Sequence, residues 1–351
     1  MQLFTPFRLG TLELNNRIVM APMTRSRALG GVPNDLMRSY YQARATAGLI
    51  ITEGVAPSPN GLGYARTPGL FSDQQVSAFR SVTDAVHEAG GRIFAQLMHV
   101  GRISHPLNWP EKARVVAPSA VRGEGMMWTD LEGPRPMVEP EALSSADLAA
   151  TREEFVQAAK NARRAGFDGV ELHSANGYLL NQFLHAHTNR RTDEYGGSVE
   201  RRARFVIEVA QATAEALGAD RVGVRLSPHG TFNDLPEVSQ EQEQLVSVAR
   251  SLNGLAYLHV IQNPHASFEA TRAKMRAAYT GPMILAAGFD QNKAEAALLE
   301  GRAELISFGR PFIANPDLVT RFQRQQALAT PDPGTFYTSD AAGYTDYPTF
   351  A

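Results

Sequence analysis

Short runs in which apolar and polar residues alternate recur along the chain, separated by longer stretches in which apolar residues return every three or four positions. The first pattern is that of strands and the second that of amphipathic helices. Strands are predicted at Arg17–Pro22, Leu49–Val55, Arg92–Met98, Gly169–His173, Arg221–Ser227, Tyr257–Ile261, Met283–Ala286 and Glu304–Phe308. Helices are predicted at Asp35–Ala47, Asp73–Ala89, Ala146–Ala165, Val199–Leu217, Gln240–Leu252, Ser267–Ala278, Lys293–Glu300 and Pro316–Gln325. Eight strand-then-helix pairs predict an α/β fold, a closed (β/α)8 TIM barrel built as one domain over residues 1–351. An open doubly wound sheet is the alternative, but the Gly-x-Gly-x-x-Gly turn it normally carries after an early strand is missing. The Pro- and Gly-rich stretch 101–144 after the third strand is too long for an ordinary loop and is expected to lie over the barrel mouth. Residues 331–351, also rich in Pro, Gly and Tyr, are expected to form a docked C-terminal strap.

Composition narrows the function classes. With 351 residues and 43% apolar content the chain can bury a large core. Its 34 basic and 36 acidic residues nearly cancel, and runs such as Arg201-Arg202-Ala203-Arg204 fall in a helical pattern, so no nucleic-acid surface is expected. No apolar run approaches a membrane span, and the start Met1-Gln2-Leu3-Phe4-Thr5-Pro6 lacks the order of a secretory signal, which leads to an expected cytoplasmic location. There is no cysteine, hence no thiolate nucleophile or cysteine metal site.

Chemistry is concentrated where the fourth strand ends, in Gly169-Val170-Glu171-Leu172-His173-Ser174-Ala175-Asn176-Gly177-Tyr178. Alternation sends Val170 and Leu172 towards the helices and Glu171 and His173 inward. The same rule turns Gln96 and Arg225 into the barrel, so Gln96, His173 and Arg225 should meet at the C-terminal rim, where barrel enzymes place their reactive groups. The lysines are Lys112, Lys160, Lys274 and Lys293, in a loop or on helices, which disfavours Schiff-base chemistry. Asn176 is a poor partner for His173 in a zinc site, so no metal is expected. Neutral donors, an arginine and a tyrosine instead suit an organic cofactor and a polarised carbonyl or nitro group. Strands seven and eight end in Ala287-Gly288 and Gly309-Arg310, where backbone N–H groups and one cation suit a phosphate.

Several long motifs carry a family likeness: Leu3-Phe4-Thr5-Pro6, the run from Asn16 to Arg25, Ala95 to Arg102, His173 to Leu180, Arg191 to Ser198, and Phe308 to Leu318. They stand in the order found in the Old Yellow Enzyme flavoproteins, the group that includes N-ethylmaleimide reductase and pentaerythritol tetranitrate reductase. The chain resembles that family along nearly its whole length. The resemblance implies bound FMN, with NADPH or NADH as hydride donor, and reduction of the C=C bond of enones, maleimides or nitroalkenes. It implies that Pro22, Met23 and Thr24 border the flavin, that Gln96 binds its pyrimidine edge, and that Arg225 lies beside N1 and the C2 carbonyl. Gly54 is expected to let the ring approach the backbone, and Ala287, Gly288, Gly309 and Arg310 to hold the phosphate. His173 and Asn176 are implied as the donors that grip the substrate oxygen and Tyr178 as the proton donor. Tyr64 and Tyr337 are expected to line the substrate pocket, together with Met98, which stands where relatives commonly carry tryptophan. Alternative readings are a reductase acting mainly on nitroesters or nitro compounds, and a ligand-binding flavoprotein with little turnover. The expected partners are therefore small molecules, with the chain a monomer or homodimer.

Overall fold

Eight parallel strands close into a barrel in sequence order. In the computed structural model, which describes residues 1–109 and 113–349, they are β1 (Ile18–Met20), β2 (Leu49–Val55), β3 (Ile93–Leu97), β4 (Gly169–His173), β5 (Val222–Leu226), β6 (Tyr257–Ile261), β7 (Met283–Ala286) and β8 (Leu305–Phe308). Each predicted strand is present, four with the predicted bounds and four trimmed by a residue or two at the ends. The helices packed around them are α1 (Asp35–Gln42), α2 (Asp73–Glu88), α3 (Ser145–Arg164), α4 (Val199–Leu217), α5 (Glu241–Ser251), α6 (Phe268–Ala278), α7 (Gln291–Leu299) and α8 (Leu318–Gln323). Lys112 and the final two residues of the 331–351 segment lie outside the described residues.

Strand alternation divides the apolar core into two layers. Val170, Leu172, Val222, Val224 and Leu226 face the helices, as do Ile93, Ala95 and Leu97. Val19, Leu49, Ile51, Phe94, Tyr257, Ile284 and Leu305 fill the barrel interior near the strand starts. Inward-facing Gly169 and Gly223 leave room there, since a Cβ on them would lie 2.4 Å from the Phe94 ring and 2.3 Å from the Tyr257 ring. Leu9 and Leu14 join this layer from an N-terminal hairpin, Phe7–Leu9 with Leu12–Leu14, and so close the end opposite the site.

The alternation pattern did not reveal that hairpin. It also missed a second hairpin, Met126–Thr129 with Gly133–Pro136, and short helices at Leu179–Leu184 and Arg310–Ala314. Elements of three to six residues are too short to show a period. The helix expected to run to Ala47 stops at Gln42, and turns carry the chain from there to β2.

Buried arginines fix the tail. Arg27 donates to the carbonyls of Thr335, Phe336, Asp340 and Ala342, and Arg25 to those of Phe336 and Gly343. Tyr344 stacks on Tyr40 with ring centroids 4.0 Å apart, and the Arg44 guanidinium lies 3.6 Å from the centroid of the Tyr40 ring. The carbonyls replace water around guanidinium groups that burial would otherwise strand.

In β2 the register shifts between Ile51 and Gly54, and Glu53 within that stretch is 1% exposed and faces Tyr41 of α1. The Tyr41 hydroxyl donates to Glu53 Oε1 at 3.3 Å and accepts from the Glu53 N–H at 2.9 Å. Burial outweighs these contacts and raises the carboxyl to about 7. The folded protein thus holds this proton more tightly than the unfolded chain, so Glu53 lowers stability as pH rises from about 4.5 through about 7. Glu53→Gln removes that penalty. Urea unfolding at pH 5 and pH 8 should show the variant gaining on the parent protein by about 2–3 kcal/mol over this window, at 1.36 kcal/mol per pKa unit; parallel pH profiles would contradict a protonated Glu53.

Candidate active site at the barrel mouth

Parallel register assembles the polar residues that alternation had turned inward. Glu171 stands opposite Gln96 on β3, His173 opposite Arg225 on β5, and Arg225 opposite His259 on β6. The Glu171 carboxylate is fully buried and accepts from Gln96 Nε2 at 2.7 Å and His259 Nδ1 at 2.8 Å. Burial alone would raise this carboxyl, but His259, Arg225 and Gln96 together hold it below its ordinary value. Alternation turns Glu171 inward, and strand register supplies His259 as its partner. The pair they form supports Gln96 from below.

His173 ends β4. Its Nδ1 accepts from the Ala175 N–H at 3.3 Å, which leaves the ring hydrogen on Nε2. Burial first, then the neighbouring Arg225 charge, drives its pKa well below the ordinary histidine value, so the ring is a neutral donor. The turn that follows is left-handed at Asn176 and Gly177, with φ of 57° and 76°. Asn176 is pinned on both sides, its N–H donating to Ser227 Oγ at 2.9 Å and its carbonyl accepting from Asn233 Nδ2 at 2.7 Å. Tyr178 then stands edge-on to His173, ring centroids 4.8 Å apart, with its hydroxyl 3.0 Å from that of Tyr64. Its burial raises the phenol pKa against the opposing effect of the Tyr64 and Asn233 hydrogen bonds.

A cavity of about 780 Å³ opens beside this wall, lined by Thr24, Tyr64, Tyr178 and Tyr337 among the predicted residues. Ser26, Arg66, Met127, Trp128, Asp130 and Phe232 also line it, none of them anticipated. They arrive on loops and on the missed hairpin, where no period marks a side chain as inward. Met98 does not line this cavity: it is buried with Val100, Ile103, Met127 and Met137 behind Tyr178. Its side chain fills the space beside Gly54, where a Cβ would come within 2.4 Å of Met98 Cε. Gly54, within β2, therefore leaves the space that the Met98 side chain takes.

Two further observations concern the cofactor. The Arg225 guanidinium is buried, and its Nε has no hydrogen-bond partner. At the ends of β7 and β8, Ala287 and Gly288 are both left-handed and exposed, and Gly309 precedes the helix Arg310–Ala314 beside an exposed Arg310. A Cβ on Gly309 would meet Met23 Sδ at an ordinary 3.5 Å, so nothing in the chain itself requires glycine there. Pro22, Met23 and Thr24 are half-buried on the loop after β1.

Residues 2–329 match the profile described as the NADH:flavin oxidoreductase / NADH oxidase family. The chain belongs to that family. Its FMN-dependent chemistry draws hydride from a reduced nicotinamide, and the unpartnered Arg225 and the glycine-ended strands fit such a group. The chain is similar to 12-oxophytodienoate reductase 7 of Oryza sativa subsp. japonica, 40% identical over 99% of this chain and 94% of that protein. It is similar also to a probable flavin mononucleotide-dependent alkene reductase of Leishmania infantum, 41% identical over 98% and 96% of the two chains. The structure of morphinone reductase in complex with tetrahydroNAD superposes with a TM-score of 0.95 at 45% identity, covering 100% of this chain and 98% of that one. Among the described residues no helix of this family member is long and apolar enough to cross a membrane.

Gly177 is held by position as well as conformation, because a Cβ there would lie 2.8 Å from Asn233 Cβ and 2.9 Å from the Phe232 carbonyl. Gly177→Ala is therefore expected to destabilise the protein by more than about 1 kcal/mol, through the left-handed φ and the clash together. Thermal unfolding checks this, and an unchanged midpoint would mean the turn is not held as described.

Proposed function

We propose that this member of the family is an ene-reductase, reducing the C=C bond of enones, maleimides or nitroalkenes. The observation that carries the reading is the wall shared by His173, a neutral donor, and Tyr178, a phenol, with the unpartnered Arg225 in register beside the histidine. Bound FMN supplies hydride at its N5, replenished by NADPH or NADH. Arg225 and Gln96 hold the flavin pyrimidine, Pro22, Met23 and Thr24 border the ring, and Ala287, Gly288, Gly309 and Arg310 hold the phosphate. Gly54 and Met98 support the ring's surroundings together.

His173 and Asn176 donate to the substrate's carbonyl or nitro oxygen. Those hydrogen bonds strengthen as negative charge builds on that oxygen, which makes the conjugated carbon a better hydride acceptor. A neutral imidazole is suited to this, since it donates without giving up its proton. Tyr178 supplies the proton to the α-carbon, while Tyr64 and Tyr337 shape the cavity around the substrate. The proposal includes a cytoplasmic location, which keeps the enzyme with its reduced nicotinamide.

Two measurements test these roles. Tyr178→Phe should slow reoxidation of the reduced enzyme by cyclohexenone about 10²-fold or more, the scale of general acid catalysis, and leave reduction by NADPH within about two-fold. Equal losses in both half-reactions would overturn the assignment. Replacing both His173 and Asn176 with Ala should weaken phenol binding to the oxidised holoenzyme by at least about 10-fold, since two donors are lost at about 1 kcal/mol each; unchanged titrations would remove these residues from the grip.

A further inference from the structure

The loop from Ser227 to Pro236, after β5, reaches back across the end of β4. Ser227 takes the Asn176 N–H, and Asn233 places one amide N–H on the Asn176 carbonyl at 2.7 Å. An amide nitrogen carries two hydrogens. Asn233 also packs against the turn itself, since a Cβ on Gly177 would lie 2.8 Å from Asn233 Cβ, and it draws the Tyr64 and Tyr178 phenols down against the burial that raises both. One side chain thus holds the backbone of the substrate donor and the turn that leads to the acid two residues further on.

The loop is built to hold it there. Asn233 and Asp234 are both left-handed, with φ of 60° and 58°. Arg102, whose side chain is fully buried, clamps them by donating to the Asn233 carbonyl at 3.2 Å, the Asp234 carbonyl at 2.6 Å and the Asp234 carboxylate at 3.1 Å. The same guanidinium donates to the Arg122 carbonyl at 3.2 Å, which ties this loop to the segment after β3. Two successive left-handed residues are costly unless the surroundings hold them, and here the strain aims an amide at the site.

We propose that Asn233 is a positioning residue for proton delivery. It holds the Asn176–Gly177 turn that presents Tyr178 and stabilises the phenolate that Tyr178 becomes. In that step the Tyr178 O–H bond breaks and a C–H bond forms at the α-carbon, using the electron pair that hydride addition left on the substrate. Water reprotonates the phenolate by way of the Tyr64 hydroxyl. This inference rests on the reading of Tyr178 as the acid. The titratable and charged groups around the phenol are Tyr64, His173, Arg225 and Tyr337, and His173 is neutral.

The test uses the FMN-loaded enzyme and three variants. Asn233→Asp keeps the shape and the tolerance for a left-handed backbone but removes both N–H donors and adds negative charge. Asn233→Gly keeps the backbone conformation and removes the side chain. Tyr178→Phe is the control. Stopped-flow reoxidation by cyclohexenone should slow about 10- to 100-fold in both Asn233 variants, the scale of one hydrogen bond to a charged group. Reduction by NADPH should stay within about two-fold, and the solvent deuterium isotope effect on reoxidation should rise. Its rate in Asn233→Asp should also fall less steeply as pH drops and the new carboxylate takes a proton. If Tyr178→Phe slows reoxidation while both Asn233 variants behave as the parent, the role of Asn233 is overturned. Equal slowing of both half-reactions, or an unchanged isotope effect, also overturns it. If Tyr178→Phe itself has no effect, the acid assignment fails instead.

Discussion

A carboxylate buried at the centre of a barrel constrains everything placed near it. Glu171 is wholly removed from water, and an unpaired charge there would be several kcal/mol too costly to keep ionised. It is kept by Gln96 on one side and His259 on the other, two residues that strand register places within reach. The consequence reaches upward. With one N–H on Glu171, the Gln96 amide has its carbonyl and its other N–H left for a ligand, and the Glu171 charge offsets the cost of burying Arg225 one layer higher. The mouth of the barrel is therefore polar by construction, resting on a floor of Phe94, Tyr257 and their neighbours.

The same logic governs the loops. Four buried arginines, Arg25, Arg27, Arg44 and Arg102, satisfy their guanidinium groups largely with backbone carbonyls from distant segments. Arg25, Arg27 and Arg102 fix stretches that are largely irregular, and Arg44 holds the short helix Arg310–Ala314 against α1. Arg25 and Arg27 bring Tyr337 to the cavity, and Arg102 sets the loop that carries Phe232 and Asn233. A rigid scaffold with arginine-clamped loops gives a cavity whose back wall is precise and whose rim is set by irregular segments. That division suits a reaction with one demanding geometry and many acceptable substrates.

The fold was legible because strand alternation and helix periodicity persist through all eight repeats. It also placed Gln96, Glu171, His173 and Arg225 inside the barrel, since a residue's face follows from its parity along the strand. Their companions were harder to read. Asn233 and Phe232 lie in a loop with no period, and Trp128 lies on a hairpin too short to declare itself. Met98 shows the same dependence on register: the space left by Gly54 on the neighbouring strand takes its side chain, a contact that no local pattern records.

What the sequence by itself determined is the barrel, the inward faces of its strands and the set of polar residues at one rim, all consequences of local periodicity. Tertiary structure alone decided the partners: His259 for Glu171, Asn233 for Asn176, Tyr64 for Tyr178, and Arg102 for the loop that aims Asn233. These pairs lie tens of residues or more apart and depend on register and loop path. Neither leaves a mark in local pattern, because a hydrogen bond across a fold constrains where two atoms meet and not what surrounds either of them in the chain.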